Sequence, residues 1–312
     1  MAITFRKLPK GSTIGSGSYV FRHYGNEAPA ELPDYLCFTA EQAGSTVAMA
    51  VYGTPTKGQA FETSTDGVVW SVFTPGTTTI TLATVGDKVY FRGDNTTVSE
   101  STSIYYKFVM SGKIAASGNI MSLLDKTCQS TTISNVYCYR YMFNGCANLT
   151  TAPALPAATL ANYCYSNMFN GCTNLMTAPA LPATTLANSC YSSMFNGCTS
   201  LTTAPALPAT TLANSCYNSM FYKCTSLTTA PALPATTLAN NCYYRMFYGS
   251  TSLQVYSSSG TGHTKAWRIP TSGSASSYTS QNRMFYNCPG SYKSTSSVSL
   301  NRTFYTQNTP VR

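Results

Sequence analysis

The stretch Cys190-Tyr-Ser-Ser-Met-Phe-Asn-Gly-Cys198, followed by Leu201-Thr-Thr-Ala-Pro-Ala-Leu-Pro208 and Ala209-Thr-Thr-Leu-Ala-Asn214, decides the fold, because the chain repeats it. The first residue of the Cys-Tyr pair stands at 138, 164, 190, 216 and 242, a step of 26 each time. The Met-Phe pair keeps that step through Met142, Met168, Met194, Met220 and Met246. A fixed period of roughly 20 to 50 residues marks stacked units that bury their apolar faces only against their neighbours.

One unit has two halves. Leu186, Cys190, Met194 and Cys198 are spaced four apart, with Phe195 beside them. That spacing predicts an apolar stripe on a short helix of roughly two to three turns. Asn188 is placed to cap its start, and Gly197 to adopt the left-handed conformation wanted at its end. In the other half Leu201, Thr203, Pro205 and Leu207 fall on one side at period two, which predicts an extended segment. Two prolines per repeat lack the N–H of a central strand, so a thin, broken parallel ladder is expected rather than a full sheet. Extended segments stack about 5 Å apart, whereas helix axes need about 8–10 Å. The stack should therefore curve, with helices outside. The fold class is an α/β solenoid preceded by a small all-β sandwich or barrel.

The pattern Met-Phe-x-x-Cys-x-x-Leu-x-x-x-x-x-Leu-Pro resembles the BspA-like leucine-rich repeats of bacterial surface proteins, which occur in gut bacteria and their phages. The resemblance covers Lys126 to about Cys288, and the run from Tyr106 to Leu124 looks like the lead-in to such an array. It implies a non-catalytic adhesion or recognition scaffold and leaves the ligand open.

Along the chain, residues 1–34 are dotted with Gly, Ser and Pro and have little periodicity. They read as an N-terminal arm that docks onto a larger assembly, or alternatively packs on the next domain. Residues 35–112 carry short β-branched or aromatic runs at 35–39, 46–52, 68–73, 78–83, 88–92 and 104–110. Turn material such as Asp66-Gly67, Pro75-Gly76 and Gly93-Asp94-Asn95 separates them, as in a small antiparallel sandwich or barrel. Trp70 falls in one of these runs and reads as core. The repeat array occupies 113–290, begins with an imperfect capping unit (Ile133-Ser-Asn-Val-Tyr-Cys138), and is interrupted by an insertion at 254–280. Met284-Phe-Tyr-Asn-Cys288 closes the array, and 291–312 form a cap or arm.

The chain has 12 cysteines, ten of them between Cys128 and Cys242, with Cys37 and Cys288 outside that span. Secreted disulfide frameworks are short and irregularly spaced, and a zinc site wants ligands paired two to four apart. Regular spacing on an apolar stripe predicts ladders of buried, unbridged thiols instead.

Charge is unevenly placed. All ten acidic residues lie at or before Asp125, while residues 126–312 hold ten basic and no acidic ones. The second half thus carries +10 and the first about −1. Such a balance draws anionic surfaces, polyanionic glycans among them. The basic residues do not cluster as in nucleic-acid grooves, so no nucleic-acid partner is expected. Glycoside hydrolysis usually uses two flanking carboxyl groups, and the array has no carboxylate side chain. Neither His23 nor His263 has triad context, and no phosphate-binding loop motif occurs. The expectation is a non-enzyme without cofactor or metal.

Between repeats, the frame stays fixed while a few positions vary: Arg140-Tyr141, Ser166-Asn167, Ser192-Ser193, Asn218-Ser219 and Tyr244-Arg245, then Asn-Gly three times, Tyr222-Lys223 and Tyr248-Gly249. These lie off the stripe and should face solvent, and they are residue types of adaptable recognition surfaces. Candidate ligand-binding residues are Tyr141, Asn167, Tyr222, Lys223, Tyr244, Arg245, Tyr248, Trp267 and Arg268, with the C-terminal end preferred. Neutral variation on a polar face is the competing reading. The start of the chain has no apolar signal region and no run of 18 apolar residues occurs, so neither a leader nor a membrane span is expected. Together these features predict a head or tail fibre or decoration protein of a bacteriophage, located on the virion. Its expected partners are other virion proteins, through the arm, and a host-surface or mucosal glycan or protein. A homo-oligomer is expected. The alternative is a bacterial cell-surface adhesin lacking its leader.

Overall fold

The computed structural model describes residues 33–235, 237–253, 283–285 and 288. Nearly all of the expected arm, the insertion and the C-terminal cap lie outside the described residues.

The β-rich runs of the first half form strands β1 (Leu36–Ala40), β2 (Ser45–Tyr52), β3 (Phe61–Ser64), β4 (Ser71–Phe73), β5 (Thr79–Leu82), β6 (Lys88–Gly93), β7 (Tyr105–Ser111) and β8 (Ile114–Ser117). A ninth strand, β9 (Leu149–Thr151), belongs to the repeats. One sheet has the order β4-β3-β6-β1-β8-β9 and the other β5-β2-β7. All pairs are antiparallel except β8 with β9. Inward residues alternate along β2 and β6, as period two demands. Phe38 and Phe91 of the first sheet meet Phe108 of the second edge-to-face, at centroid distances of 4.8 and 5.2 Å, so the sheets share an aromatic core. β8 pairs with β1 on one side and with β9 on the other, so one sheet runs across residue 113 without a break. Gly118 makes the turn after β8: its φ is +71°, and a side chain there would collide with the Tyr35 carbonyl. Trp70 is corrected by the structure. It stands just before β4, half-buried, with the Arg92 guanidinium 3.9 Å over its ring and Tyr35 against its edge.

The repeats contain no α-helix among the described residues, which corrects the expected solenoid of helices and extended segments. The Cys-Tyr to Cys tract is instead a run of overlapping turns. The N–H groups of Ser166, Met168, Asn170 and Cys172 donate three residues back, to Tyr163, Tyr165, Asn167 and Phe169, over 3.1–3.3 Å. The alternate N–H groups, of Tyr165, Asn167, Phe169 and Gly171, donate to Cys190, Ser192, Met194 and Asn196 in the next repeat, over 2.7–3.0 Å. Every second turn has a residue with positive φ in third place, here Tyr163 (58°), Asn167 (57°) and Gly171 (75°), as type II turns require. The tract's N–H groups are therefore shared between its own turns and its neighbour, which meets the demand that buried backbone be paired.

The reason turns win over helix is spacing. Phe143, Phe169, Phe195, Phe221, Phe247 and Phe285 stack face to face at 5.2–5.7 Å. Helix axes cannot approach so closely, whereas turns advance at the same rate as the extended halves. The mismatch that a helix layer would create, and the curvature argued from it, does not arise. A second column runs through Tyr139, Tyr165, Tyr191, Tyr217 and Tyr243, at 5.7–6.0 Å.

The extended half is the expected broken ladder, with isolated parallel bridges Thr177↔Thr203, Thr203↔Thr229 and Thr185↔Thr211. Leu201, Pro205 and Leu207 turn inward, but Thr203 is exposed. Asn188 caps no helix; its Oδ1 accepts the Asn214 N–H at 3.1 Å, one link in a column from Asn162 to Asn240. None of the twelve cysteines forms a disulfide, and all but Cys128 are buried.

The β domain serves the repeats as their first layer. Phe108 N–H donates to the Met142 carbonyl at 2.8 Å, as Phe143 N–H does to Met168 one step later. Phe108 also stacks on Phe143 at 5.3 Å, and the buried apolar residues of both parts form one core. Past the insertion the register resumes: Phe247 N–H reaches the Met284 carbonyl and Phe285 continues the column.

Candidate functional site

The four-residue turn unit puts two side chains in and two out. Cys138-Tyr139 and Met142-Phe143 are buried, while Arg140-Tyr141 and Asn144-Gly145 face outward, and later repeats follow suit. Most outward positions are half-buried, Gly145 and Lys223 are exposed, and Ser166 is buried. The repeat-to-repeat variation noted in the sequence falls on this turn face. The opposite, extended face presents exposed threonines, among them Thr177, Thr203, Thr229, Thr185 and Thr211.

Arg140, Lys223, Arg245 and Arg283 all occupy outward positions of the turn tract, and every charged residue after Lys126 that the structure describes is one of these four. Among the described residues the ion pairs are Arg92–Glu62 and Lys126–Glu62, so Arg140, Lys223 and Arg245 have no carboxylate partner there. Their partners are aromatic rings.

At the C-terminal end Tyr222 stacks on Tyr248 at 4.9 Å. Lys223 Nζ lies 5.5 Å from the Tyr222 ring centre, and the Arg245 guanidinium lies 4.9 Å from Tyr244 and 5.8 Å from Tyr248. Five of the predicted site residues are thus brought together. Tyr141 is at the other end. There Arg140 donates to the Tyr141 hydroxyl at 2.9 Å, and its guanidinium sits 4.6, 5.4 and 5.8 Å from the rings of Tyr141, Tyr137 and Tyr163. Tyr105 packs on Tyr141 at 4.8 Å and on Tyr52 at 4.6 Å. Burial, with Tyr52 and Tyr141 alongside, raises the Tyr105 phenol above its usual value, so it stays neutral at any physiological pH. Asn167 lies between the clusters, where its Nδ2 donates to Ser166 Oγ at 2.9 Å and its Oδ1 accepts from Asn170 at 3.1 Å. Trp267 and Arg268 lie outside the described residues.

Sequence reasoning placed Arg140 among the outward variable positions without counting it as a ligand residue, and it missed Tyr137, Tyr163, Tyr52 and Tyr105. Tyr137 and Tyr163 sit one four-residue unit before Tyr141 and Asn167, so a strict period of four would have found them. Tyr52 and Tyr105 face each other across the β2–β7 ladder, a pairing with no local signal in the chain.

The clusters are separated by small polar residues. Ser192, Ser193, Asn218 and Ser219 occupy the outer positions filled by Arg140-Tyr141 at one end and Tyr244-Arg245 at the other. Asn170-Gly171 and Asn196-Gly197 take the places that Tyr222-Lys223 and Tyr248-Gly249 fill later. Among the described residues no group of three His, Cys, Asp or Glu side chains is arranged to hold a metal ion, and no helix is long and apolar enough to cross a membrane. Comparison with family models, with curated proteins and with solved structures finds no match for this chain.

Proposed function

We propose that this chain is a non-enzymatic recognition protein that displays its turn face on the outside of a particle, as a head or tail fibre or decoration protein of a bacteriophage. One observation carries the reading: the described charges of the repeats and most of their solvent-reaching tyrosines gather on a single face, while the frame beneath is nearly invariant. A scaffold that holds its core constant and varies one face is built for binding. Support also comes from the cysteines. Twelve thiols without a disulfide suit a protein assembled in a reducing cytosol, as virion parts are, better than one exported through an oxidising compartment. The resemblance to BspA-like repeats carries the second reading, a bacterial surface adhesin.

The test is immunogold labelling of purified phage particles beside binding of the purified protein to intact bacteria. Label on particles together with saturable cell binding supports the virion reading. Cell binding with no label on particles returns the chain to the adhesin reading. Absence of both removes recognition as its role.

A further inference from the structure

We propose that the two aromatic–cation clusters and the polar floor between them form one elongated site for a linear acidic polysaccharide lying along the stack. This rests on the reading of the turn face as a recognition surface and adds the ligand's chemistry.

The variable positions of the turn tract line up repeat by repeat along the stack. The place held by Arg140 in the first repeat is held by Ser166, Ser192 and Asn218 before Tyr244 appears. The place held by Tyr141 is held by Asn167, Ser193 and Ser219 before Arg245 appears. Large aromatic and cationic side chains therefore wall both ends, and hydroxyls and amides line the middle. Four steps of about 4.8 Å separate Tyr141 from Arg245, roughly 19 Å along the stack.

That layout selects a ligand class. Aromatic faces suit the apolar faces of sugar rings, and hydroxyls and amides exchange hydrogen bonds with sugar hydroxyls. The end guanidiniums lack carboxylate partners in the described structure and are held by rings. Arg140 Nε and Nη1 and Arg245 Nε are buried without a hydrogen-bond partner, and Arg140 Nη2 donates to the Tyr141 hydroxyl. An acidic group would therefore meet a fixed, uncompensated positive charge rather than a fully open set of N–H donors. A nucleic acid fits poorly, because its phosphates, one per about 3.4 Å of each strand, would lie over an uncharged floor. A neutral glycan would leave the cations without a role. Gripping one chain at both ends couples two weak contacts into one stronger one.

Isothermal titration of the full chain tests this, with oligosaccharides of two to ten sugars from three acidic series: oligogalacturonides, chondroitin sulfate and heparin. Methyl-esterified oligogalacturonides are the neutral counterpart, and a 20-nucleotide oligothymidylate the nucleic-acid comparison. The variants take residues that the molecule's own middle repeats carry at the same places, Arg140→Ser with Tyr141→Ser, and Tyr244→Ser with Arg245→Ser, as in Ser192-Ser193. We expect at least one acidic series to bind, with affinity rising sharply once the chain spans both clusters. Either double variant should lower the affinity of long chains by on the order of a hundredfold, to that of short ones, with the melting temperature maintained. Failure of every acidic series, equal binding of the esterified series, equal binding of oligothymidylate, or affinity independent of length overturns the proposal. If cells are still bound in the previous test while all acidic series fail, the acidic ligand is wrong and the recognition role stands.

Discussion

The Ser250 hydroxyl donates a hydrogen bond of 2.8 Å to the Phe221 carbonyl. Cys172, Cys198 and Cys224 make the same bond at 3.1 Å, from Sγ to the phenylalanine carbonyl one repeat earlier. Cys146 and Cys288 make it too, to Phe108 and Phe247. The conserved element is a buried donor of small volume, and sulfur is one way to supply it.

Cys198→Ser should therefore cost less than about 1 kcal/mol, whereas Cys198→Val should cost clearly more, because it removes the donor and adds bulk to a filled site. Urea denaturation of the two variants decides this. A serine variant as unstable as the valine one would show that sulfur packing, not donation, is what the position needs.

Lys223 stands where Gly145, Gly171, Gly197 and Gly249 stand in other repeats, and its φ is +56°. A non-glycine residue in that region costs about 1–2 kcal/mol, partly offset by the extra chain entropy that glycine loses on folding. Lys223→Gly should leave stability unchanged or raise it by up to about 1 kcal/mol, and Gly197→Val should lower it by more than that. Thermal melts of both check the left-handed position, and a Lys223→Gly variant that melts well below the parent would contradict it.

Burial pushes the thiols upward: Cys146 and Cys288 to about 12 and Cys138 to about 11. Cys128, half-buried and near Asp125, is also raised to about 11 by desolvation first. Thiolate is the reactive form, so iodoacetamide at pH 8 should leave the native protein almost unlabelled, with Cys128 the first to react. Intact-mass spectrometry reads this, with twelve adducts expected after denaturation. Fast labelling of several repeat cysteines in the native state would mean that the turn stack opens readily.

Acid should strike the β domain and its junction first. Arg92 and, after it, Lys126 hold the Glu62 carboxyl below its ordinary value, and hydrogen bonds from Thr127 do the same for Asp125. A depressed carboxylate contributes stability that is present above its unfolded value, near 4, and is lost as pH falls through the lower folded value. The repeats beyond Asp125 have no carboxylate side chain to protonate. Hydrogen exchange between pH 5 and 2.5 should show protection lost around Glu62 and Lys126 before the Phe195 region. Simultaneous loss would show that the junction and the repeats open as one unit.

Phe195 is fully buried between Phe169 and Phe221. Phe195→Ala should cost about 3–5 kcal/mol, read by denaturant midpoint, and a cost below 1 kcal/mol would deny the column its part in stability.

Much of this was legible in the chain. The 26-residue step, the buried cysteines and Met-Phe pairs, the broken parallel ladder and the outward pairs were readable because they depend on spacing alone, whereas the burial of the Cys-Tyr tyrosines and the exposure of Thr203 were not. The helix was not there because Leu186, Cys190, Met194 and Cys198 keep a period of four, whereas a 3.6-residue helix would drift by roughly 40° every four residues. Over three such intervals a helical stripe would slide out of the core, so strict fours point to turns. Gly at 145, 171, 197 and 249 carried the same message, since a left-handed residue recurring inside the tract breaks a helix. β3 and β8 were missed because Phe61-Glu-Thr-Ser64 and Ile114-Ala-Ala-Ser117 are short and only weakly β-forming. The N-terminal cluster was hidden because Tyr105 meets Tyr141, and Tyr52 meets Tyr105, only through tertiary packing.

The shared hydrogen bonding of the turn tract has a consequence for how such a chain changes over time. Each repeat gives the next the same set of donors and receives the same set of acceptors, so a whole 26-residue cassette can be gained or lost without designing a new seam. Such an event leaves the two end clusters intact and alters only the length of floor between them, in steps of about 4.8 Å. Reach then behaves as a ruler with fixed graduations, and near-identical repeats such as 164–189 and 190–215 are where a graduation is most easily added or removed.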